Sequence, residues 1–304
     1  MIEINGLTKK FGDVTALDGL SFTVNDGVAF GFLGRNGAGK TTTIRILMNI
    51  FREDAGEALI DGVPAHHSKK RIGYLPEERG LYGKRSVIEQ MIYIAKLKGL
   101  EQKEAESAAH AGLDEMDATE YTDRKLGTLS KGNQQKIQLA IALLGDPEVV
   151  ILDEPFSGLD PINSQILKDA VRRRADMGKT VIFSSHQMSQ VEELCDDICI
   201  IDKGQIKLKG NLGEIKHSYP RNRIFVSAIP ADGGQSDPEK MFSGLGFIDS
   251  WSPLGDGFAV TLTDPDSRGE FYRALDKRNI IPDNFSVIEP TLEEIFVEKV
   301  GDES

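Results

Sequence analysis

The sequence predicts an α/β protein in two parts, a mostly parallel sheet covered by helices over residues 1 to about 215 and a small α+β unit over 216–304. Three observations predict it. Short apolar strands alternate with helical stretches through the first part, the pattern that builds a parallel sheet. A buried strand, a glycine-rich turn and a helix follow one another between Val28 and Phe51. Beyond Gly210 the pattern changes, and six short segments run in the order βαββαβ, that of a ferredoxin-like unit.

Taken in order, Val28 to Leu33 reads as a buried strand, and Thr41 to Ile50 as a helix with Ile44, Leu47, Met48 and Phe51 on one face. Ser86 to about Gly145 is dominated by helical spacing, which predicts a helical subdomain inserted over about 86–145. Within it Ile137 to Leu144 is a helix. Val149 to Leu152 and Val181 to Phe183 are further apolar strands. Asn211 to Arg223, with Tyr219-Pro220, reads as a linker. The second unit is expected as strand 223–229, helix 237–245, strands 247–252 and 257–263, helix 266–278 and strand 284–288. Trp251 falls on one of these strands, where core packing is the default. In the tail, Leu292, Ile295, Phe296 and Val300 share a helical face, and Thr291-x-x-Glu294 can cap its start.

A chain of 304 residues suits two domains, given a usual size of about 100 to 200 residues each. With 39% hydrophobic and 28% charged residues it has the composition of an ordinary globular protein. A formal net charge of -12 argues against non-specific binding to nucleic acid or anionic lipid, which needs a positive surface. No apolar run approaches the roughly 18 to 20 residues that span a bilayer, and Met1-Ile2-Glu3-Ile4 lacks a secretory pattern, so a cytoplasmic location is expected. Cys195 and Cys199, the two cysteines, read as buried thiols in a reducing compartment. His66 and His67 precede Ser68, Lys69, Lys70 and Arg71, and the segment reads as a solvated loop.

The chemistry concentrates in three places. Gly34-Arg35-Asn36-Gly37-Ala38-Gly39-Lys40-Thr41 fits GxxxxGK[ST] between a strand and a helix, the context this phosphate-binding motif requires. Its glycines let backbone N–H groups converge on phosphates, Lys40 reaches their oxygens, Thr41 can ligate Mg²⁺, and the helix N-terminus, with Thr42 behind it, favours the anion. Val149 to Leu152 delivers Asp153 and Glu154 to the C-terminal end of a buried strand, where ligands bind in open α/β sheets. Asp153 suits the metal, and Glu154 suits the polarisation of an attacking water. Ser130 stands where it can cap a helix start and offer N–H donors to an anion.

Leu129-Ser130-Lys131-Gly132-Asn133-Gln134-Gln135-Lys136, lying between the phosphate loop and the Asp153-Glu154 strand, resembles the signature motif of ABC ATPases. The resemblance implies a P-loop NTPase fold of ABC type over residues 1 to 215, with ATP and Mg²⁺ as its ligands. It also implies roles for further residues. Phe11 resembles the aromatic that stacks on adenine, Asp160 in Ser157-Gly158-Leu159-Asp160 resembles the D-loop aspartate, and His186 resembles the switch histidine at the γ-phosphate. Ser130 and Gly132 would cover the ATP of a second subunit, either an identical copy or a paralogue. Glu77, in Ile72 to Glu77, stands where the family usually has a Gln that senses Mg²⁺, and a carboxylate there can still ligate the metal. Lys131 and Asn133 replace the commoner Gly and Gln of the signature.

Leu75-Pro76-Glu77-Glu78-Arg79-Gly80-Leu81-Tyr82, the appended unit and Pro290 to Phe296 together resemble a narrower group, the ATPases of ABC-2-type exporters, sodium-extrusion subunits among them. That implies an integral membrane permease as partner, with this chain peripheral at the inner face of the membrane and no nucleic-acid partner. Two other readings compete. A soluble ABC protein of ribosomes or DNA usually carries two ATPase units or long coiled coils, neither of which this sequence has. A slow regulatory binding module would suit a ferredoxin-like unit, but Lys40, Asp153, Glu154 and His186 together favour an active enzyme.

Overall fold

The computed structural model describes residues 1–78, 80–228 and 237–301. Arg79 and the last residue of the strand expected at 223–229 lie outside them. By its contacts the chain divides into Met1–Leu212 together with Ile295 onward, and Gly213–Glu294. The single boundary expected after 215 is thus replaced by two crossings, and the last helix straddles the second.

The first unit opens with two long antiparallel strands, β1 (Ile2–Phe11) and β2 (Val14–Val24), followed by β3 (Ala29–Leu33) and α1 (Lys40–Leu47). Then come β4 (Ala55–Ile60), β5 (Val63–Pro64) and β6 (Ile72–Leu75). The expected helical subdomain consists of α2 (Val87–Leu97), α3 (Gln102–Glu115) and α4 (Lys131–Leu143), the last beginning earlier than Ile137. The chain continues through β7 (Val149–Asp153), α5 (Pro161–Asp176), β8 (Thr180–Ser185), α6 (Met188–Leu194), β9 (Asp197–Asp202) and β10 (Gln205–Asn211).

Six strands form the central sheet in the order β10-β9-β3-β8-β7-β6, parallel except for β10. Every residue of β3, β7 and β8 is buried, as expected of strands covered on both faces. A second, antiparallel sheet, β2-β1-β4-β5, was not foreseen. Its Ile2, Ile4, Leu7, Leu17 and Leu20 join Phe30, Phe32, Ile44 and Leu47 in one core, so α1 is buried between two sheets. Both cysteines are buried, and burial pushes the Cys195 thiol well above its ordinary range and that of Cys199 up to about 12, which leaves them unreactive.

Helix starts follow their caps. The Ser86 hydroxyl accepts from the Glu89 N–H at 3.3 Å while the Ser86 N–H donates back to the Glu89 carboxylate at 3.2 Å, opening α2. Asp160 accepts from the Asn163 N–H at 2.9 Å, and Pro161 takes the first position of α5. Two long helices are joined by charge. Glu115, at the end of α3, receives Arg174 of α5 in a bidentate pair at 2.8 and 2.7 Å, with Arg173 at 3.2 Å. Burial pushes the Glu115 carboxyl up, but the two guanidiniums outweigh it and hold the group below its ordinary range. Its stabilisation is therefore present above the ordinary value of 4.5 and lost as pH falls through the lower folded value. Glu115→Gln is expected to cost about 2 kcal/mol at pH 7, roughly 5 °C in Tm, and the gap from wild type should close towards pH 3 in thermal melts.

The chain passes into the second unit through α7 (Leu212–His217), a short helix where a linker was expected. Then follow β11 (Arg223–Ala228), α8 (Pro238–Phe242), β12 (Ile248–Leu254), β13 (Gly257–Leu262), α9 (Arg268–Lys277) and β14 (Pro282–Val287). All neighbours are antiparallel in the order β12-β13-β11-β14, the topology of a ferredoxin-like βαββαβ unit. Ile224, Val226, Val260 and Leu262 of the sheet meet Met241, Phe242, Phe271 and Leu275 of the helices. Trp251 rests its ring near Phe242 and Phe258 yet is 36% exposed, so it covers the core rather than filling it. The last helix is α10 (Leu292–Gly301), with Leu292, Ile295 and Val300 buried and the Thr291–Glu294 capping box formed in both directions.

Candidate functional site

β3 ends at Leu33 in the middle of the parallel sheet, and the chain turns through Gly34 to Gly39 into α1. β7 and β8 end beside it, with Asp153 paired in register with Ser184. The glycine loop, two carboxylates and the start of the His186 segment therefore meet at the C-terminal edge of the sheet.

Asn36, Gly37, Ala38, Gly39, Lys40, Thr41, Thr42, Glu77, Asp153 and Glu154 line one cleft of about 230 Å³, together with Ala16 and Arg35. Gly39, at φ 111°, caps α1, and a Cβ there would lie 2.8 Å from the Ala16 carbonyl oxygen and 2.6 Å from a Leu17 methyl. Only glycine fits that position. The loop is also tied from behind. The Gly204 N–H donates to the Ala38 carbonyl at 3.0 Å, and the Gly204 carbonyl accepts from the Asp18 N–H at 2.9 Å. Gly204 has φ 76°, and a Cβ on it would sit 2.7 Å from that same Ala16 oxygen.

Lys40 is buried, and its ammonium donates to the Gly34 carbonyl at 2.6 Å and lies 4.0 Å from Glu154. Burial lowers its proton affinity, while Glu154, Asp153 and Glu77 pull it back, with a net shift downwards. A buried cation facing carboxylates beside open N–H groups is disposed to receive an anion. Asp153 accepts from the Thr41 hydroxyl at 3.3 Å and, on its other oxygen, from the Ser184 hydroxyl. Thr41, Asp153 and Glu77 thus offer only oxygen ligands to the cleft, the donor set of a hard divalent cation.

Glu154 has φ 49°, a left-handed backbone that costs a non-glycine residue about 1 kcal/mol or more. Its N–H donates to the Ser184 carbonyl at 3.1 Å, which holds the turn. The result aims the carboxylate at His186, whose Nδ1 lies 2.8 Å from Glu154 Oε2. The next corner is fixed by the Gln187 N–H donating to the Ser185 hydroxyl at 2.9 Å.

Four expected residues lie elsewhere. Ser130 caps α4 by accepting from the Asn133 N–H at 3.2 Å, and Gly132 stands in the first turn, where a Cβ would approach Asn163 of α5 to 3.2 Å. Asp160 caps α5, and its Asn163 bonds hold the carboxyl below its ordinary range. Phe11 is 44% exposed, edge-on to Phe51 at 5.4 Å with the Lys9 ammonium 5.5 Å from its ring. None of the four lines the cleft. Arg35, Ala16 and Ser184 are site residues that the motifs did not single out. Ser184 alone had a signal, a hydroxyl at the end of a strand parallel to the Asp153 strand.

Residues 17–157 match the ABC transporter family model, which places its span across the glycine loop, the signature helix and the carboxylate strand. Over its whole length the chain is 42% identical to the uncharacterized ABC transporter ATP-binding protein YhaQ of Bacillus subtilis, with 99% of each chain covered. The chain belongs to the ABC transporter ATP-binding family. This ABC ATPase is also 36% identical over 208 residues to the Nod factor export ATP-binding protein I of Burkholderia lata, covering 67% of this chain and 68% of that protein. A solved ATP-binding subunit of an ABC transporter superposes with a TM-score of 0.66 at 28% identity, covering 71% of this chain and 92% of that one. Residues 210–300 match a second model, the C-terminal domain of DrrA1-3-like ATP-binding proteins. As a member of this family, the chain is an ATPase that binds ATP and hydrolyses it.

Proposed function

We propose that this ABC ATPase drives an exporter of the ABC-2 type, pairing head to tail with a second ATPase subunit beneath an integral membrane permease. The observation that carries the reading is the split of the motif residues. Lys40, Thr41, Asp153 and Glu154 line one cleft and His186 is bonded to its Glu154, whereas Ser130 and Gly132 sit at a separate helix start outside it. A second copy brings its own Ser130 and Gly132 to that cleft, so each half supplies what the other lacks. Support for export comes from the Nod factor export relatives and from the DrrA1-3-like C-terminal match. Among the described residues no helix is long and apolar enough to cross a membrane, and the proposed permease supplies those spans.

In this reading the loop N–H groups and Lys40 hold the phosphates, and Phe11 offers its exposed face to the adenine. Glu154 takes a proton from the attacking water, and His186, fixed by its bond to Glu154, contacts the terminal phosphate. Thr41, Asp153 and Glu77 would hold Mg²⁺, which neutralises charge on the phosphate oxygens. Asp160 stands at the subunit junction. The second unit serves as an accessory or regulatory domain.

Glu77→Gln tests the metal assignment. A neutral amide binds a cation less tightly, so turnover is expected to survive while the Mg²⁺ concentration for half-maximal activity rises several-fold. An unchanged Mg²⁺ titration removes Glu77 from that set. The transport reading is tested by affinity capture of the tagged chain from gently solubilised cells with ATP present. Recovery of a polytopic membrane protein supports it, and recovery of soluble, ribosomal or DNA-bound partners alone overturns it while leaving the ATPase in place.

A further inference from the structure

His186 is held in place with little help from its own burial. Its side chain is 53% exposed, and its ring is fixed by one bond, to Glu154. The backbone that carries it is placed on its upstream side by β8, which is wholly buried and ends at Ser185, and on its downstream side by the segment that follows. That backbone runs within two residues into α6, a helix of seven residues whose Gln187 cap makes no side-chain bond. A helix this short is marginal by itself and takes its position from what it packs against. Met188, Val191 and Leu194 anchor one face in the core. Apolar anchors alone leave a two-turn helix free to slide or roll by a fraction of an ångström, because dispersion contacts are not directional.

The direction comes from α5. Lys168 is buried, with 10% of its side chain exposed, yet it stands on the core side of α5, where an aliphatic residue would cost less. Its ammonium bonds the Glu193 carboxylate in the last turn of α6. One turn further along α5, Arg172 donates to the Glu193 backbone carbonyl at 2.7 Å. That carbonyl is one of the acceptors a helix leaves unpaired at its C-terminus, and two cations there also match the negative end of the helix dipole. Both cations thus grip a single residue, one through its side chain and one through its backbone, which fixes rotation as well as distance.

From this geometry we infer that Lys168, with Arg172, positions His186 for ATP hydrolysis by locking the last turn of α6 to α5. Neither residue lines the cleft. They are positioning residues, and the inference rests on the reading of His186 given above. The same α5 begins at Asp160 and leans its Asn163 on Gly132 of the signature helix, so the clamp ties the histidine to the rod whose other end meets that helix.

The test uses the full-length chain and compares Lys168→Met, Lys168→Arg, Glu193→Gln and His186→Ala by phosphate release against ATP concentration, with Tm measured alongside. Lys168→Met is expected to lower kcat about tenfold with KM for ATP unchanged, the scale of a small misplacement of a reacting group. Lys168→Arg should restore most of kcat. In the His186→Ala background, Lys168→Met should cost nothing further, since the group it positions is gone. If Lys168→Met does not fold, Glu193→Gln carries the test, as it keeps the shape of the side chain and the Arg172 bond to the backbone. A lower Tm with kcat unchanged overturns the inference and leaves an ordinary structural ion pair. So does a full additional loss in the His186→Ala background. Failure of His186→Ala itself to lower kcat overturns the reading of the site instead.

Discussion

Lys40→Ala is expected to abolish nucleotide binding and turnover together. The ammonium sits buried between the Gly34 carbonyl and Glu154, so the cleft holds a fixed, buried positive charge where an anion would arrive. Removing it leaves Glu154, Asp153 and Glu77 near the phosphates, with the exposed Arg35 as the remaining cation of the cleft lining and no buried one among them. Coulomb repulsion then acts where attraction did, and the low-dielectric walls of the cleft screen it poorly. An affinity loss of at least about a hundredfold, close to 3 kcal/mol, is expected by isothermal titration with ATP. The fold should survive, because losing a buried charge offsets much of the cost of losing its bonds to the Gly34 and Arg35 carbonyls. Wild-type affinity in the variant would mean that the loop N–H groups alone hold the phosphates.

Glu154→Gln should separate the two functions that Lys40→Ala removes at once. The amide has the shape of the carboxylate, and its oxygen can still take the bond from His186. ATP binding is expected to stay within a few-fold of wild type. Turnover, measured by phosphate release, should fall at least about a hundredfold, the usual scale for losing a positioned base. The variant should also accumulate as an ATP-bound dimer, visible as a doubled mass in light scattering with ATP and the single mass without it. Turnover near wild type would remove Glu154 from the role of base, and His186 would become the group to test next.

Much of the site was legible because its chemistry is local. A loop of GxxxxGKT sequence needs only a strand before it and a helix after it, and both were visible in the hydrophobic pattern. Asp153 and Glu154 were legible through the apolar run that precedes them. The βαββαβ unit was legible segment by segment, since its strands are short and bounded by clear turns. The antiparallel sheet of β1, β2, β4 and β5 was not, because β1 and β4 are distant in sequence and the register of β1 passes through three irregularities against β2 and one against β4, which blur the period of two. Ser184, Arg35 and Ala16 were missed for a related reason. Arg35 and Ala16 reach the cleft, and Ser184 reaches Asp153, through loop geometry or sheet order, which the residue types themselves encode only in part. The helix at Leu212–His217 was hidden behind the turn signal of the Tyr219-Pro220 pair just beyond it.

The carbonyl of Ala16 runs between two glycines, one at the phosphate loop and one at the turn between β9 and β10. Three segments far apart in the chain therefore share one crowded point, and none can drift in evolution without the other two. A chimaera that takes residues 1–24 from a relative and keeps the rest inherits someone else's version of that crossing. Grafts of the amino-terminal hairpin should succeed only when the donor's turn and loop travel with it, so the natural unit of exchange in this enzyme is a discontinuous set of residues and not a stretch of gene.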